Sequence, residues 1–185
     1  MYNREVLSVR DITQTAIFTA LTAVGAFISI PIGPVPITLQ SFFVLMSGLI
    51  LGSRKAMFSQ ITYLLLGLVG FPIFSGFSGG LQHILKPSFG FLMGYVAAAF
   101  AVGKLTEGKP LNSKNLSLAL LIATIIIYAF GLPYMYYILN IMLSNNFSIY
   151  KILQLGMLSF IPGDTLKAVT VVFLGKRLSV YQKSR

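Results

Sequence analysis

Long apolar runs separated by short breaks dominate this chain. Six can be drawn, at approximately residues 12–30, 41–52, 57–70, 88–103, 116–139 and 160–174. Only 10% of the residues are charged, whereas a soluble domain carries roughly 25%. The material for a wetted surface is missing. The expectation is an all-α integral membrane protein of six transmembrane helices, forming a single membrane domain over residues 1–185. No internal repeat or second domain stands out. The second and third segments are short for the roughly 20 residues that a spanning helix needs. They must tilt, borrow loop residues or be shielded by other helices. The polar residues 1–14 lead directly into an apolar span with no separate short hydrophobic region. Residues 16–30 therefore read as a retained helix rather than a signal peptide. With no Cys, disulfides and thiolate metal sites are excluded.

A formal net charge of +10 invites a nucleic-acid reading, but the placement of the charges argues against it. Basic residues cluster at the ends of apolar runs. Arg4, Arg10, Arg54, Lys55, Lys104, Lys109, Lys114, Lys176, Arg177, Lys183 and Arg185 fall on one side of a six-span layout. Lys86 and Lys151 fall on the other, and Lys167 lies inside a span. The positive-inside rule then puts both termini in the cytoplasm. No nucleic-acid partner is expected; the lipid bilayer is.

The outer connections differ from the inner ones. Residues 31–38 carry Pro31, Pro34 and Pro36, which cannot continue a helix. Residues 71–87 hold Gly76, Gly79 and Gly80 and read as an irregular loop that lets backbone approach something closely. Both loops are apolar enough to dip into the membrane. Irregular backbone at that depth is tolerated only where protein or a water-filled cavity satisfies it. A ligand cavity at the outer side, capped by these loops, is the expected consequence. Gly131-Leu132-Pro133 should break or kink the fifth helix. Residues 143–148 read as a loop, and residues 150–160 as a short amphipathic helix.

Asp164 and Lys167 are charges inside the last apolar run, three residues apart and so on one helix face. Pro162 suits a first helical turn, where the helix dipole favours the Asp164 carboxylate. Charges in a membrane mark a functional site by default, although a self-satisfied ion pair holding two helices together also fits. Ala16 and Ala20 on the first helix have small-xxx-small spacing. That spacing fits a docking face for another membrane subunit, and it fits ordinary internal packing still better. His83, the only histidine, reads as a structural hydrogen-bonder. Glu5, Asp11, Glu107 and Asp164 are the only carboxylates. They make no catalytic pair or metal cluster, and no phosphate-cradling loop appears. The chain does not read as an enzyme, and uphill transport would need energy from a partner or an ion gradient.

Several stretches together resemble one family. They are Pro34-Val35-Pro36-Ile37-Thr38-Leu39-Gln40, Leu51-Gly52-Ser53-Arg54, the run from Tyr63 to Phe74, and Pro162-Gly163-Asp164 followed by Lys167. In this order, over nearly the whole chain, they resemble BioY, the biotin-specific S component of energy-coupling factor transporters. One stretch departs from the pattern. Where the family usually has Gly-Pro-Thr-Gly-Gly-Tyr, this chain has Lys86-Pro87-Ser88-Phe89-Gly90-Phe91.

The resemblance implies six helices with both termini inside. It implies biotin as transported ligand, no cofactor, and a multi-pass protein of a prokaryotic cytoplasmic membrane. The partners it implies are a transmembrane T component, docked through Ala16 and Ala20, and two cytosolic ATPases. Biotin offers ureido N–H groups to Asp164, and a carbonyl or carboxylate to Lys167. Lys86 is a candidate for the carboxylate end. Thr38, Gln40, Gln82 and Ser88 would supply neutral hydrogen bonds, and Phe71, Phe74 and Phe91 an apolar wall. The rival expectations are an S component for a different vitamin and a structural membrane subunit without a ligand.

Overall fold

A computed structural model describes residues 8–183. Arg4 and Arg185, used in the charge asymmetry, lie outside the described residues. The order is helix α1 (Val9–Phe27), strands β1 (Ser29–Ile30) and β2 (Ile37–Thr38), then helices α2 (Gln40–Leu51), α3 (Ser53–Val69), α4 (Phe89–Thr106), α5 (Ser113–Tyr136), α6 (Ile149–Leu153) and α7 (Ile161–Lys183). Among the described residues, three segments are long and apolar enough to cross a membrane: Phe89–Thr106, Ser113–Met142 and Ile149–Arg177. Gln40–Leu51 is a shorter apolar helix.

Glycines set how closely the helices pack. On α4, a Cβ at Gly90 would overlap Tyr134, and one at Gly94 would press on the Ile127 backbone at 3.0 Å. This four-residue spacing of small residues lets α4 and α5 approach closely, and theirs is the most extensive helix pairing in the fold. At the far end of α4, a Cβ at Gly103 would collide with the Ser53 backbone. Gly52, at φ +78, makes the corner between α2 and α3. The basic residues Arg54 and Lys55, expected in the break itself, instead begin α3.

That corner is held by two acidic residues. Glu107 accepts from the Ser53 backbone N–H at 2.6 Å and from the Ser53 hydroxyl at 2.9 Å. It satisfies donors at the N-terminus of α3 that lack an intrahelical partner. The Ser53 backbone bond, above all, holds the Glu107 carboxyl below its usual pKa, with Lys104 and Arg54 adding to the effect. Asp11 accepts from Lys55 at 2.6 Å. That bond and the capping contacts from Ser8 hold its carboxyl at about 2.

The opposite end of the bundle departs from expectation in three places. Helix α1 stops at Phe27, and the proline-rich loop is a small antiparallel hairpin that pairs Ser29 with Thr38 and Ile30 with Ile37. Leu39 N–H bonds back to the Gly25 and Ile28 carbonyls, which pins the hairpin onto α1. The glycine-rich loop is partly regular, with a 3₁₀ turn at Leu81–Leu85 and a bridge between Phe74 and Ser78. Pro133 does not end α5. The helix runs through it to Tyr136 and then widens into a π-helical turn over Tyr137–Met142. Proline removes one helix donor, and the widened turn follows within one turn of that loss.

Candidate functional site: a cavity under the two loops

A cavity of ≈ 220 Å³ lies where the hairpin and the glycine-rich loop meet α2, α4, α5 and α7. Its most polar wall is built around Asp164. Phe160 accepts the Asp164 backbone N–H at 2.8 Å, so the carboxylate stands in the first turn of α7. Tyr128 on α5 donates to Oδ2 at 2.6 Å, and Lys167 donates to Oδ1 at 2.9 Å. Lys167 also donates to the Ser41 hydroxyl at 2.9 Å, and Ser41 lies 3.5 Å from Oδ1. The Lys167 and Asp164 side chains keep 10% and 21% of their exposure. A carboxylate has roughly four lone-pair sites, so these partners leave room for a further donor. The pair therefore faces both a helix neighbour and the cavity.

A second relay fixes the loops. The Thr38 hydroxyl donates to Gln40 Oε1 at 3.1 Å, and Gln40 Nε2 donates to the Tyr63 hydroxyl at 2.7 Å. Tyr63 donates onward to the Ile73 carbonyl at 3.0 Å. The Gln40 amide is thus committed at both ends, and it ties β2, α3 and the glycine-rich loop together. Two aromatic walls rest on glycines. The Phe74 ring lies directly over Gly67, and the Phe91 ring over Gly131. No β-carbon fits beneath either ring.

Eight of the residues singled out from sequence line this cavity: Asp164, Lys167, Gln40, Thr38, Ser88, Lys86, Phe74 and Phe91. Gln82 and Phe71 do not. Gln82 is exposed and folds back to the Gly79 carbonyl at 2.5 Å. Phe71 is 54% exposed, because the chain leaves α3 at Gly70 in a left-handed turn. Ala16 and Ala20 lie elsewhere, on an exposed face of α1. Sequence reasoning passed over Ser41, Tyr95 and Tyr128, which also line the cavity, as does His83, read from sequence as a structural hydrogen-bonder. A tyrosine hydroxyl in the middle of an apolar run, as at Tyr95 and Tyr128, was the available signal. A wider groove of ≈ 450 Å³ runs between α5 and α7 and shares Thr124, Tyr128 and Asp164 with the cavity.

The model of the BioY family matches residues 1–183. The chain belongs to the BioY family. A probable biotin transporter BioY of Lysinibacillus sphaericus is 38% identical over 180 residues, covering 96% of this chain and 91% of that one. The biotin transporter BioY of Thermotoga maritima is 39% identical over 177 residues, covering 95% and 99%. Among solved structures, the S component for biotin from an ECF-type ABC transporter superposes with a TM-score of 0.79 at 30% identity. The match covers 96% of this chain and 94% of that chain. With three membrane-length helices among the described residues and these relatives, this BioY family member is a multi-pass prokaryotic membrane protein.

Proposed function

We propose that the chain is the biotin-binding S component of an energy-coupling factor transporter, with the vitamin held in the cavity under the two loops. The observation that carries this reading is the Asp164–Lys167 pair, which lines the cavity in a BioY family chain. Tyr128 and Ser41 tie the pair to α5 and α2, and the pair also lines the cavity. Asp164 accepts from the ureido N–H groups, while Lys167, Ser41 and Tyr128 hold the carboxylate in place. Phe74, Phe91 and Phe160 pack against the apolar ring. Gln40 and Thr38 act one step back, by fixing the hairpin that closes the cavity.

In this reading the helices α1 to α5 and α7 form a single domain of six spans. Both termini are cytoplasmic, and the cavity opens to the outside. A T component docks on the face bearing Ala16 and Ala20, a role supported by their exposure. Two partner ATPases hydrolyse ATP; the chain itself is no enzyme and uses no cofactor. The test is a thermal-shift series on purified protein with biotin and with other vitamins. A ligand that binds only the folded state stabilises it by about 2.7 kcal/mol at a hundred times its Kd. Biotin should raise the midpoint. A midpoint that biotin leaves unmoved, while another vitamin raises it, refutes the assignment.

A further inference from the structure

Away from Asp164, the cavity wall carries a second polar pair, His83 and Lys86. Both come from the loop between α3 and α4. His83 is 4% exposed, and Lys86 is exposed. The Lys86 ammonium lies 3.0 Å from His83 Nε2, and the Ser78 hydroxyl lies 3.1 Å from the same nitrogen. An ammonium has only donors. Facing an ammonium, Nε2 accepts, which puts the ring proton on Nδ1, a buried atom with no hydrogen-bond partner among the described residues, and leaves the ring neutral. A protonated ring would turn an N–H against the ammonium. Burial first, and the Lys86 charge second, hold the imidazole pKa below its usual range, with the Gly79 backbone opposing. The imidazole also lies 4.7 Å from the Phe74 ring, which Gly67 seats.

A neutral acceptor does something a carboxylate cannot. It restrains a lysine whose flexible stem otherwise samples many rotamers, yet it leaves the positive charge uncompensated. Among the described residues, the carboxylates found in ion pairs are Asp11 and Asp164, and neither pairs with Lys86. We infer that His83 is a positioning residue that holds the Lys86 ammonium at the cavity wall as the receptor for the ligand's carboxylate. This rests on reading the cavity as the biotin site.

The test compares the affinities of biotin and its neutral primary amide for the wild type, Lys86→Gln, His83→Leu and His83→Gln. Lys86→Gln should weaken biotin by about tenfold to a hundredfold, the worth of a hydrogen bond to a charged group, and leave the amide unchanged. His83→Leu should cut the preference for biotin over the amide by about twofold to tenfold. His83→Gln, which keeps an acceptor, should retain most of that preference. An unchanged preference in Lys86→Gln, at an exposed position that folding tolerates, overturns the inference. So does an equal loss of both ligands in His83→Leu, which marks a structural role. Wild-type protein that binds neither compound overturns the biotin reading itself, and this inference with it.

Discussion

Replacing Asp164 with Asn keeps the shape of the side chain and removes its charge. In the folded chain this carboxylate receives Tyr128 at 2.6 Å and Lys167 at 2.9 Å. The amide offers one oxygen and turns an NH₂ toward one of those donors. The Lys167 ammonium, whose side chain is 10% exposed, is left without a counter-charge. Breaking a fully buried pair costs about 3–5 kcal/mol, and an exposed one about 0–1 kcal/mol. Partial burial puts the expected loss of stability between these, at about 1–3 kcal/mol. Biotin should bind about tenfold to a hundredfold more weakly, because its N–H groups lose a charged acceptor. Thermal unfolding in detergent reads the first effect, and titration calorimetry the second. The double variant Asp164→Asn with Lys167→Met should recover part of the stability and none of the affinity. A coupling below about 0.5 kcal/mol would mean that the two residues act independently. Unchanged biotin affinity in Asp164→Asn would refute the site outright.

Two further outcomes follow from the packing and the caps. Gly67→Ala inserts a methyl group where the Phe74 ring lies. It should lower stability by about 1–3 kcal/mol and weaken biotin by displacing a cavity wall; an unshifted unfolding midpoint would contradict the geometry. Glu107 has a folded-state pKa held below its unfolded value. Its contribution is present above the unfolded carboxylate pKa of about 4.3 and is lost as pH falls through the folded value. Unfolding midpoints measured from neutral to acid pH should therefore fall less steeply in Glu107→Gln than in the wild type, and parallel curves would argue against the cap.

Much of the site was legible along the chain because its signals are local. Asp164 and Lys167 stand out through their cost in an apolar run. Pro162 marks the start of α7 for reasons of backbone geometry alone. Phe74 and Phe91 line the cavity because Gly67 and Gly131 leave space beneath them, and the pairing of Phe91 with Gly131 joins residues far apart in sequence. Tyr128 was missed for the same reason. It lies 36 residues before Asp164, and only the packing of α5 against α7 makes it a partner of that carboxylate. Gln82 and Phe71 lie outside the cavity lining, because loop composition says which residues are nearby and not which way they point. Pro133 predicted a break or a kink, but the helix runs through it to Tyr136 and widens only afterwards.

Run length, charge placement and proline position depend on each residue and its immediate neighbours, so the apolar segments and the intramembrane pair could be read without coordinates. Contacts between distant segments depend on how helices cross. The tertiary structure alone therefore decided that Ser41 and Tyr128 join Lys167 around Asp164, that Gln40 braces the loops, and that His83 lies beside Lys86.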